Sequence, residues 1–525
     1  CIICKPWIPL VSMNLRVRNR SLESMSLSET DHDTNLKPRF SARQGMFLLF
    51  LAALSLGTYL LAAHFEFRSG FPLDDAWIHQ TYARNLALNG EWSFVSGHIS
   101  AGSTSPLWSA LLAIGYWLHL GPFLWTFALG CLLLAIAAGV SVLTFRMLAP
   151  KRAHLAWLAA LLLLFEWHLV WAAGSGMETL LYGLLVLLAL SWLLKGSISW
   201  VGLGALVGLS AWVRPDGITL LGPALMVLVL REGGWRLKLR SGLVLALGFT
   251  ILFAPYLVFN QTLAGAWWPN TFFAKQAEYA VLRQQSLLVR LLQQAELPLI
   301  GVGFILLPGF VYRLGEAVKR REWAVLAGAL WFLGYLGLYA WRLPVTYQHG
   351  RYLIPAMPVY LLWSFAGALE WMDLGVDRML RRIVGRSWAI MIVVLLFGFW
   401  LLGARSYAMD VGFIESQMVD TAQWVTRNTP PNSLIAVHDI GAMGFFARRD
   451  LVDLAGLVSP QVIPFIRDES RLEQYLNQKG VDYLVTFPDW YPHLVQGEVK
   501  LYCGPQNKFL AGQEAMCVYS WRPKP

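Results

Sequence analysis

The sequence predicts a polytopic α-helical membrane protein with about 11 transmembrane helices and a small C-terminal α/β domain outside the membrane. Of its 525 residues, 56% are hydrophobic and only 14% are charged, and the mean hydropathy is +0.50. Soluble domains have about 25% charged residues, so the composition excludes an ordinary soluble protein. The net charge of +10 does not indicate a nucleic-acid partner, because the basic residues fall in short clusters between apolar stretches.

A membrane-spanning helix needs about 20 mostly apolar residues, and eleven stretches of the chain approach this pattern. Some of them are short, so their boundaries are approximate. They lie near residues 46–64, 123–146, 155–173, 178–194, 198–213, 217–230, 241–259, 297–312, 324–340, 353–371 and 388–404.

The positions of Lys and Arg predict the topology, because cytoplasmic loops retain these residues. Basic clusters precede the first span and follow the second, sixth, eighth and tenth. If all five are cytoplasmic, the spans alternate without conflict. We therefore expect a multi-pass protein of the cytoplasmic (inner) membrane, with a basic and unstructured cytoplasmic tail at 1–45, a membrane domain at 46–405 and an extracytoplasmic domain at 406–525.

The first outer loop, residues 65–108, contains the adjacent acids Asp74 and Asp75 in "FPLDDAWIHQTYARNLA". The spacing predicts a helix with Asp75 as its N-cap candidate and an end at Asn89-Gly90. The later stretch "SPLWSALLAIGYWLHLG" predicts a second helix, too short to cross a bilayer, that lies along the membrane surface. The loop would therefore present both acids close to the lipid.

Other predicted outer segments have charged residues at the ends of spans. Because such charges are costly near the hydrocarbon, they are candidates for functional residues. The segments are "GSGMET", "VRPDG", "AWWPNTFFAK" and "YQHGRYLIP", and their charged or titratable residues are Glu178, Arg214, Asp216, Lys275, His349 and Arg351.

The order "DDAWIHQTYARNLA…TSPLWSALLA", "SGMET", "RPDG", "PNTFFAK" and "HGRYLIP" resembles the integral-membrane glycosyltransferases of the GT-C superfamily. Within it, the chain is most similar to bacterial arabinofuranosyltransferase-like and protein-mannosyltransferase-like members, over about residues 45–405. The resemblance implies a glycosyltransferase that uses a polyprenyl-phosphate sugar as donor. Its acceptor would be a glycan, a lipid or a protein of the cell envelope, and its other partners would be membrane lipids.

A sugar phosphate already has an anionic leaving group, so transfer needs cations for the phosphate and a base for the acceptor hydroxyl. We expect Asp74 to be that base in an inverting displacement, with Asp75 as helix cap, sugar ligand or metal ligand, although the residues do not decide between the two acids. Both could instead serve as helix caps. No cofactor is required by the pattern, which leaves room for a divalent metal but favours a metal-free site.

For the donor phosphate the first candidate is Arg351, because guanidinium groups bind phosphate through two hydrogen bonds. Arg214, Lys275, Arg84 and His349 are further candidates for substrate binding, and snorkelling toward lipid headgroups is the alternative for the cations. Glu178 and Asp216 could bind sugar hydroxyls or pair with Arg214, and the pairing is favoured.

From residue 406 the composition becomes that of a soluble α/β domain. "LYCGPQNKFLAGQEAMCVYSW" predicts two strands joined by a turn, with a disulfide between Cys503 and Cys517 because an exported domain retains disulfides. Two free thiols are the alternative. His438 and Asp439, at the predicted end of a strand, could form a second site or a capped turn.

Two other function classes stay open on the sequence. A transporter or flippase for a lipid-linked sugar would often show internal repeats, and no repeat is evident. A non-catalytic membrane scaffold would bind a partner through its outer domain. Both predict that neutralising Asp74 leaves function largely intact, whereas the enzyme hypothesis predicts its loss.

Overall fold

The computed structural model describes residues 41–372 and 378–521. Residues 1–40 of the predicted tail at 1–45 lie outside the described residues. The first helix already begins at Ala42, because Ser41 and Gln44 form a reciprocal capping box: the Ser41 hydroxyl accepts from the Gln44 amide, and the Gln44 side chain accepts from the Ser41 amide. Such a box satisfies two backbone donors that a helix start leaves free.

The membrane part of the chain is mainly helical. Its helices are α1 (Ala42–Glu66), α2 (Asp75–Asn89), α3 (Pro106–Trp117), α4 (Gly121–Leu148), α5 (Ala156–Phe165), α6 (Trp167–Gly174), α7 (Thr179–Leu193), α8 (Trp200–Val213), α9 (Leu221–Leu230), α10 (Trp235–Ala264), α11 (Asn270–Glu278), α12 (Leu287–Glu296), α13 (Val302–Arg320), α14 (Trp323–Arg342), α15 (Tyr347–Gly350), α16 (Met357–Trp371) and α17 (Arg378–Phe413). Short 3₁₀ turns occupy Pro150–Leu155, Pro215–Leu220, Tyr279–Gln284, Leu297–Leu299 and Ile354–Ala356.

Among the described residues, six helices are long and apolar enough to cross a membrane, or up to eight if each of two bent pairs is one span. The bent pairs are α5 with α6, at 54°, and α12 with α13, at 107°. Three shorter apolar helices cover Thr179–Leu193, Trp200–Val213 and Pro215–Leu230. Each of the eleven predicted stretches overlaps at least one of these helices, which confirms the multi-pass architecture. The count of eleven crossings stays a prediction.

The segment between α1 and α4 folds into α2, a short antiparallel hairpin and α3. The hairpin strands are β1 (Ser93–Val95) and β2 (His98–Ile99). α2 ends as predicted, since Gly90 takes the left-handed conformation (φ +71°) that closes a helix without steric cost. Its start differs by one residue from the prediction: Asp74, not Asp75, occupies the cap position, and its side chain makes no capping hydrogen bond to α2.

The C-terminal domain is built on a five-stranded mixed sheet, which confirms the predicted small α/β domain. The spatial order is β4-β3-β5-β7-β6, with β3 parallel to β4 and β5, and β7 antiparallel to β5 and β6. Its elements are α18 (Asp420–Asn428), β3 (Leu434–Val437), α19 (Ile440–Ala442), β4 (Asp450–Asp453), α20 (Glu469–Lys479), β5 (Tyr483–Thr486), β6 (Val499–Cys503) and β7 (Cys517–Ser520), with π-helical turns at Ile414–Val419 and Met443–Ala447 and 3₁₀ turns at Pro460–Phe465, Pro488–Trp490 and Lys508–Leu510.

Apolar side chains of α20 fill one side of this sheet. Leu472 and Leu476 lie one turn apart and are fully buried in a core that also contains Leu484 of β5 and Val452 of β4. Cys503 and Cys517 face each other across the β6–β7 pair and form a disulfide in the structure, with their Cα atoms 4.1 Å apart.

The membrane domain and the C-terminal domain are joined by a continuous helix rather than by a flexible linker. α17 passes through residue 406, where the sequence places the domain boundary, and continues through the π-helical turn into α18. Arg68, just after α1, pairs with Glu415 at 2.6 Å and with Asp420 at 2.8 Å. These contacts fix the C-terminal domain over the α2 segment.

Glycine permits the close crossing of α8 and α10. A Cβ atom added to Gly248 would lie 2.1 Å from the Val201 carbonyl oxygen, and one added to Gly204 would lie 2.1 Å from the Leu245 carbonyl oxygen. Small residues allow such backbone approach in membrane helix pairs. The two helices can therefore stay at this distance only if both positions lack a side chain.

We expect Gly248→Ala to lower the melting temperature of the purified protein, because the new methyl group forces α8 and α10 apart at a cost of about 1–3 kcal/mol. Gly222→Ala is the matched control, since no atom lies within 4 Å of its added Cβ and Ala is favoured over Gly in a helix. Equal melting temperatures for the two variants would show that the close crossing is not required.

Candidate active site

The two adjacent acids at the start of α2 project in different directions. Successive residues of a helix point about 100° apart around its axis, so neighbouring side chains at its first turn cannot face the same wall. Asp75 faces cations of the membrane domain. Asp74 faces the backbone of the C-terminal domain.

Asp75 is held by two cations from distant parts of the chain. Its Oδ2 lies 2.8 Å from Nη2 of Arg351 and 3.3 Å from Nζ of Lys275. Burial raises the pKa of Asp75, but the charges of Lys275 and Arg351 outweigh burial and bring that pKa well below its ordinary value. Asp75 is therefore an anion, and the three groups together have one excess positive charge.

Arg351 is positioned by an unusual turn before α16. Gln348, His349 and Gly350 all take positive φ angles, of +54°, +57° and +63°, a region that costs energy for residues other than glycine. The turn places Arg351 in a buried position, where its Nη2 also lies 3.1 Å from the Tyr352 hydroxyl. Nη1 of Arg351 is buried and has no hydrogen-bond partner within the described residues, so this guanidinium retains a donor for a further acceptor.

A second charged cluster lies beside the first. Arg214 contacts Glu178 at 3.2 Å and Asp216 at 3.2 Å, and its Nη2 donates to the Tyr339 hydroxyl at 2.8 Å. The hydroxyls of Tyr335 and Tyr339 both donate to Asp216. The structure thus pairs Glu178 and Asp216 with Arg214, the arrangement that the sequence favours, and leaves this cluster with a net negative charge of one.

Both clusters border one cavity of about 500 Å³. Lys275, Arg351 and Arg214 line its polar part, with Glu178 and Asp216. The remaining wall is mostly apolar or aromatic and includes Trp268, Phe272, Leu338, Trp341 and Leu343. A cavity with cations at one part and apolar walls at another fits an amphiphile with an anionic head group.

Asp74 binds the C-terminal domain. Its two carboxylate oxygens accept hydrogen bonds from the backbone amides of Gly441, at 2.6 Å, and Ala442, at 2.8 Å. Gly441 is required for this approach, because an added Cβ would lie 2.0 Å from the Asp74 carbonyl oxygen. Trp77 packs on the turn that follows Ala442: its ring centroid lies 4.8 Å from that of Phe445 and 4.7 Å from that of Phe446.

The environment of Asp74 favours its protonated form. Burial, together with the neighbouring carboxylate of Asp439, raises the pKa of Asp74 to about 8, although the two amide hydrogen bonds act in the opposite direction. Burial also raises the pKa of Asp439 to about 7. Asp74 and Asp75, adjacent in sequence, therefore have pKa values displaced in opposite directions by their surroundings.

The structure brings five of the predicted binding residues to the cavity and places two elsewhere. Arg84 donates to the Phe445 carbonyl oxygen at 2.7 Å and lies against the C-terminal domain. His349 lies 2.7 Å from Asp410 of α17. The sequence grouped both with the substrate-binding residues because they are charged or titratable and lie in predicted outer segments, a pattern that does not report the direction of a side chain.

Three tyrosines of the site escaped the sequence analysis. Tyr335 and Tyr339 lie one turn apart on α14, and Tyr352 follows Arg351 directly. Their four-residue spacing places Tyr335 and Tyr339 on one face of an apolar helix, and this spacing was the signal in the sequence that could have identified them. The Gly441 and Ala442 amides could not be found from side-chain chemistry.

The Asp pair does not fit a divalent metal as it stands. Asp75 already pairs with two cations, and both oxygens of Asp74 accept amide hydrogen bonds. Within residues 41–372 and 378–521, no three His, Cys, Asp or Glu side chains group as metal ligands. We therefore derive no step through a metal.

The raised pKa of Asp74 predicts a pH dependence of stability. Between about pH 4, the ordinary pKa of Asp, and pH 8, the folded protein keeps a proton that the unfolded chain has lost. Because the folded state then binds more protons, the free energy of unfolding falls as pH rises through this window and levels off above about pH 8. Asp74→Asn should reduce this slope in melting curves, with Asp439 accounting for part of what remains. Identical slopes for the variant and the parent would contradict the raised pKa.

Comparisons with known proteins give similarity in fold and one domain match. A family model described as "Domain of unknown function (DUF8728)" matches residues 409–519, the C-terminal domain. No curated protein matches the sequence. ArnT from Cupriavidus metallidurans in the apo state is 17% identical with a TM-score of 0.56, over 91% of this chain and 98% of ArnT.

Two further solved structures have similar scores. ArnT from Cupriavidus metallidurans bound to undecaprenyl phosphate has a TM-score of 0.54 at 15% identity, over 90% of this chain and 98% of ArnT. The Archaeoglobus fulgidus oligosaccharyltransferase AglB, in complex with an inhibitory peptide and a dolichol-phosphate, has a TM-score of 0.55 at 12% identity, over 86% of this chain and 70% of AglB. The resemblance seen in the sequence is confirmed at the level of the fold: the chain has the fold of the GT-C membrane glycosyltransferases.

Proposed function

We propose that the protein is an inverting glycosyltransferase that moves a sugar from a polyprenyl-phosphate donor to an acceptor of the cell envelope. The observation that supports this most strongly is the contact of Asp75 with Lys275 and Arg351 at a cavity with an apolar wall. This arrangement provides a base, two phosphate-binding cations and room for a lipid chain. The ligands of the ArnT and AglB structures, undecaprenyl phosphate and dolichol-phosphate, support a donor of this class.

The donor phosphate would compete with Asp75 for its cations. Lys275 and Arg351 bind one carboxylate oxygen in the structure, and a phosphate offers several oxygens to the same donors. Once the two cations turn to the phosphate, the stabilisation of the Asp75 anion is reduced and its pKa rises. Donor binding would thereby convert a weak base into one able to accept a proton.

The reaction then needs no covalent intermediate on the protein. Asp75 accepts the proton of an acceptor hydroxyl as the hydroxyl oxygen attacks the anomeric carbon of the donor sugar. The bond from that carbon to the phosphate oxygen breaks, and its electron pair leaves with the polyprenyl phosphate. Lys275 and Arg351 stabilise the charge that develops there.

We assign the base to Asp75, although the sequence analysis placed Asp74 first. The carboxylate of Asp75 is 24% exposed and contacts residues that line the cavity, whereas Asp74 is buried and both of its oxygens accept amide hydrogen bonds. A base whose oxygens are already occupied must lose those bonds before it reaches a substrate. Asp74 then acts as a positioning residue that ties α2 to the C-terminal domain.

The outer face of the cytoplasmic membrane is the proposed location of the site. Nucleotide sugars are not available there, so a lipid-linked donor is the natural source of activated sugar. The basic clusters that the sequence places in cytoplasmic loops support this orientation.

The test is sugar transfer by the purified protein in lipid, from a panel of labelled polyprenyl-phosphate sugars to cell-envelope acceptors. We expect Asp75→Asn to lose activity by at least about a hundredfold, as for removal of a general base, and Asp74→Asn to retain a larger share. Asp489→Asn, at an exposed acid of the C-terminal domain, is the matched control.

Three outcomes separate the alternatives. Loss of activity in Asp74→Asn with retention in Asp75→Asn would reverse the assignment of the base. No transfer from any donor by the parent protein would refute the enzyme proposal. Movement of the lipid-linked sugar across the bilayer without transfer would establish a flippase.

A further inference from the structure

A second cavity, of about 340 Å³, lies between the α2 segment and the C-terminal domain. Unlike those of the first, most of its lining residues are polar or charged. Arg84, Arg448, Arg449, Asp450, Asn89 and Ser96 supply most of these groups. With three guanidiniums and one carboxylate, the lining has a net charge of two positive units.

The three arginines are only partly neutralised by the protein. Arg84 donates to the carbonyl oxygens of Phe445 and Gly444, and Arg449 donates to those of Ala447, Thr426 and Thr429. None of the three forms an ion pair with a carboxylate within residues 41–372 and 378–521. Nε of Arg449 is buried there without a hydrogen-bond partner. Three gathered guanidiniums against the single carboxylate of Asp450 leave an excess positive charge, an arrangement that an anion stabilises.

Arg448 is the least constrained of the three. Its side chain is exposed and makes no hydrogen bond within the described part of the chain. Burial lowers the pKa of Arg84, and the nearby charge of Arg448 lowers that pKa further. Its backbone has φ +52°, a conformation that Gly or Asn adopts more easily than Arg. The turn itself therefore does not account for an arginine at this position.

The cavity has a fixed geometric relation to the proposed base. Arg84 follows Asp75 by nine residues on α2, which corresponds to about 14 Å along the helix axis and about half a turn around it, so the two side chains leave opposite faces of the helix. The opposite wall is tied to the same point, because the turn that ends at Arg448 begins at the Gly441 amide, which binds Asp74. Both walls thus start near Asp74 and end at the arginines.

We propose that this arginine cavity is a subsite for an anionic group, a phosphate or a carboxylate, carried by the sugar acceptor. The inference rests on the proposed transferase function and narrows the acceptor to an anionic glycan or glycolipid. An acceptor that reaches both Asp75 and the arginines would extend about 14 Å along α2 and pass around that helix. That distance requires an acceptor longer than a single sugar unit.

The test compares transfer to two acceptors that differ only in one phosphate or carboxylate, using protein in phosphatidylcholine vesicles. We expect the parent to favour the anionic acceptor. Arg448→Asn should reduce that preference about tenfold, the change in affinity that the loss of one charge-assisted hydrogen bond produces. Asn suits the left-handed backbone, so the fold should be kept. Arg448→Lys should keep most of the preference, and Arg471→Gln, on α20, is the control that removes the same charge elsewhere in the domain.

The possible results either support or refute the proposed anion subsite. If the parent transfers sugar but Arg448→Asn leaves the preference unchanged, the subsite is refuted and the transferase stands. If the parent transfers to no acceptor, calorimetric titration with inorganic phosphate decides: a binding component lost in Arg448→Asn alone supports an anion site, and identical titrations refute it.

Anionic lipid is the other source of phosphate. Vesicles that also contain phosphatidylglycerol provide the arm that separates the two sources. If the Arg448→Asn effect appears only in these vesicles, and equally for both acceptors, the cavity binds a lipid headgroup and the acceptor proposal is overturned.

Discussion

The ion cluster of Asp75, Lys275 and Arg351 is the interaction on which the proposed chemistry depends. It joins the start of α2 to the helix α11 and to the turn before α16, which follow Asp75 by 200 and 276 residues in the chain. A carboxylate and two cations so close to lipid are stable only because they satisfy one another. In the proposed mechanism, the same pairing keeps Asp75 a weak base until an anion takes its cations. The resting state and the reactive state would then differ by which oxygens Lys275 and Arg351 bind, a local change that needs no movement of a domain.

The neighbouring acid, Asp74, holds α2 against the C-terminal domain. Asp74 binds the Gly441 and Ala442 amides, so the orientation of α2, and with it the position of Asp75, depends on the C-terminal domain. The match of residues 409–519 to a domain of unknown function covers the segment that makes this contact. We infer that the domain is part of the site rather than an appendage, since it holds the helix that presents the base and closes the arginine cavity around Arg448.

Sequence reasoning was most successful where apolar length and turn chemistry decide the structure. All eleven apolar stretches are helical, α2 ends at Gly90, and the C-terminal strands pair as the turn residues indicate. It was weakest for side-chain direction. Arg84 and Arg351 have the same chemistry and both lie in predicted outer segments, but only the backbone geometry of α2 and of the 348–350 turn decides which of them faces the cavity of about 500 Å³. The contact of Asp74 with backbone amides has no sequence signal, because every non-proline residue offers the same donor.

Binding of undecaprenyl phosphate, without its sugar, to the parent protein and to Asp75→Asn tests the central claim most directly. Native mass spectrometry or calorimetry in neutral detergent would measure it, with Asp489→Asn as control. Competition between the phosphate and Asp75 predicts that the inactive Asp75→Asn variant binds the lipid more tightly than the parent, by about tenfold or more, because Lys275 and Arg351 lose their internal counter-charge. Equal or weaker binding by the variant would contradict the account, since the cations would then not be shared between the carboxylate and the donor.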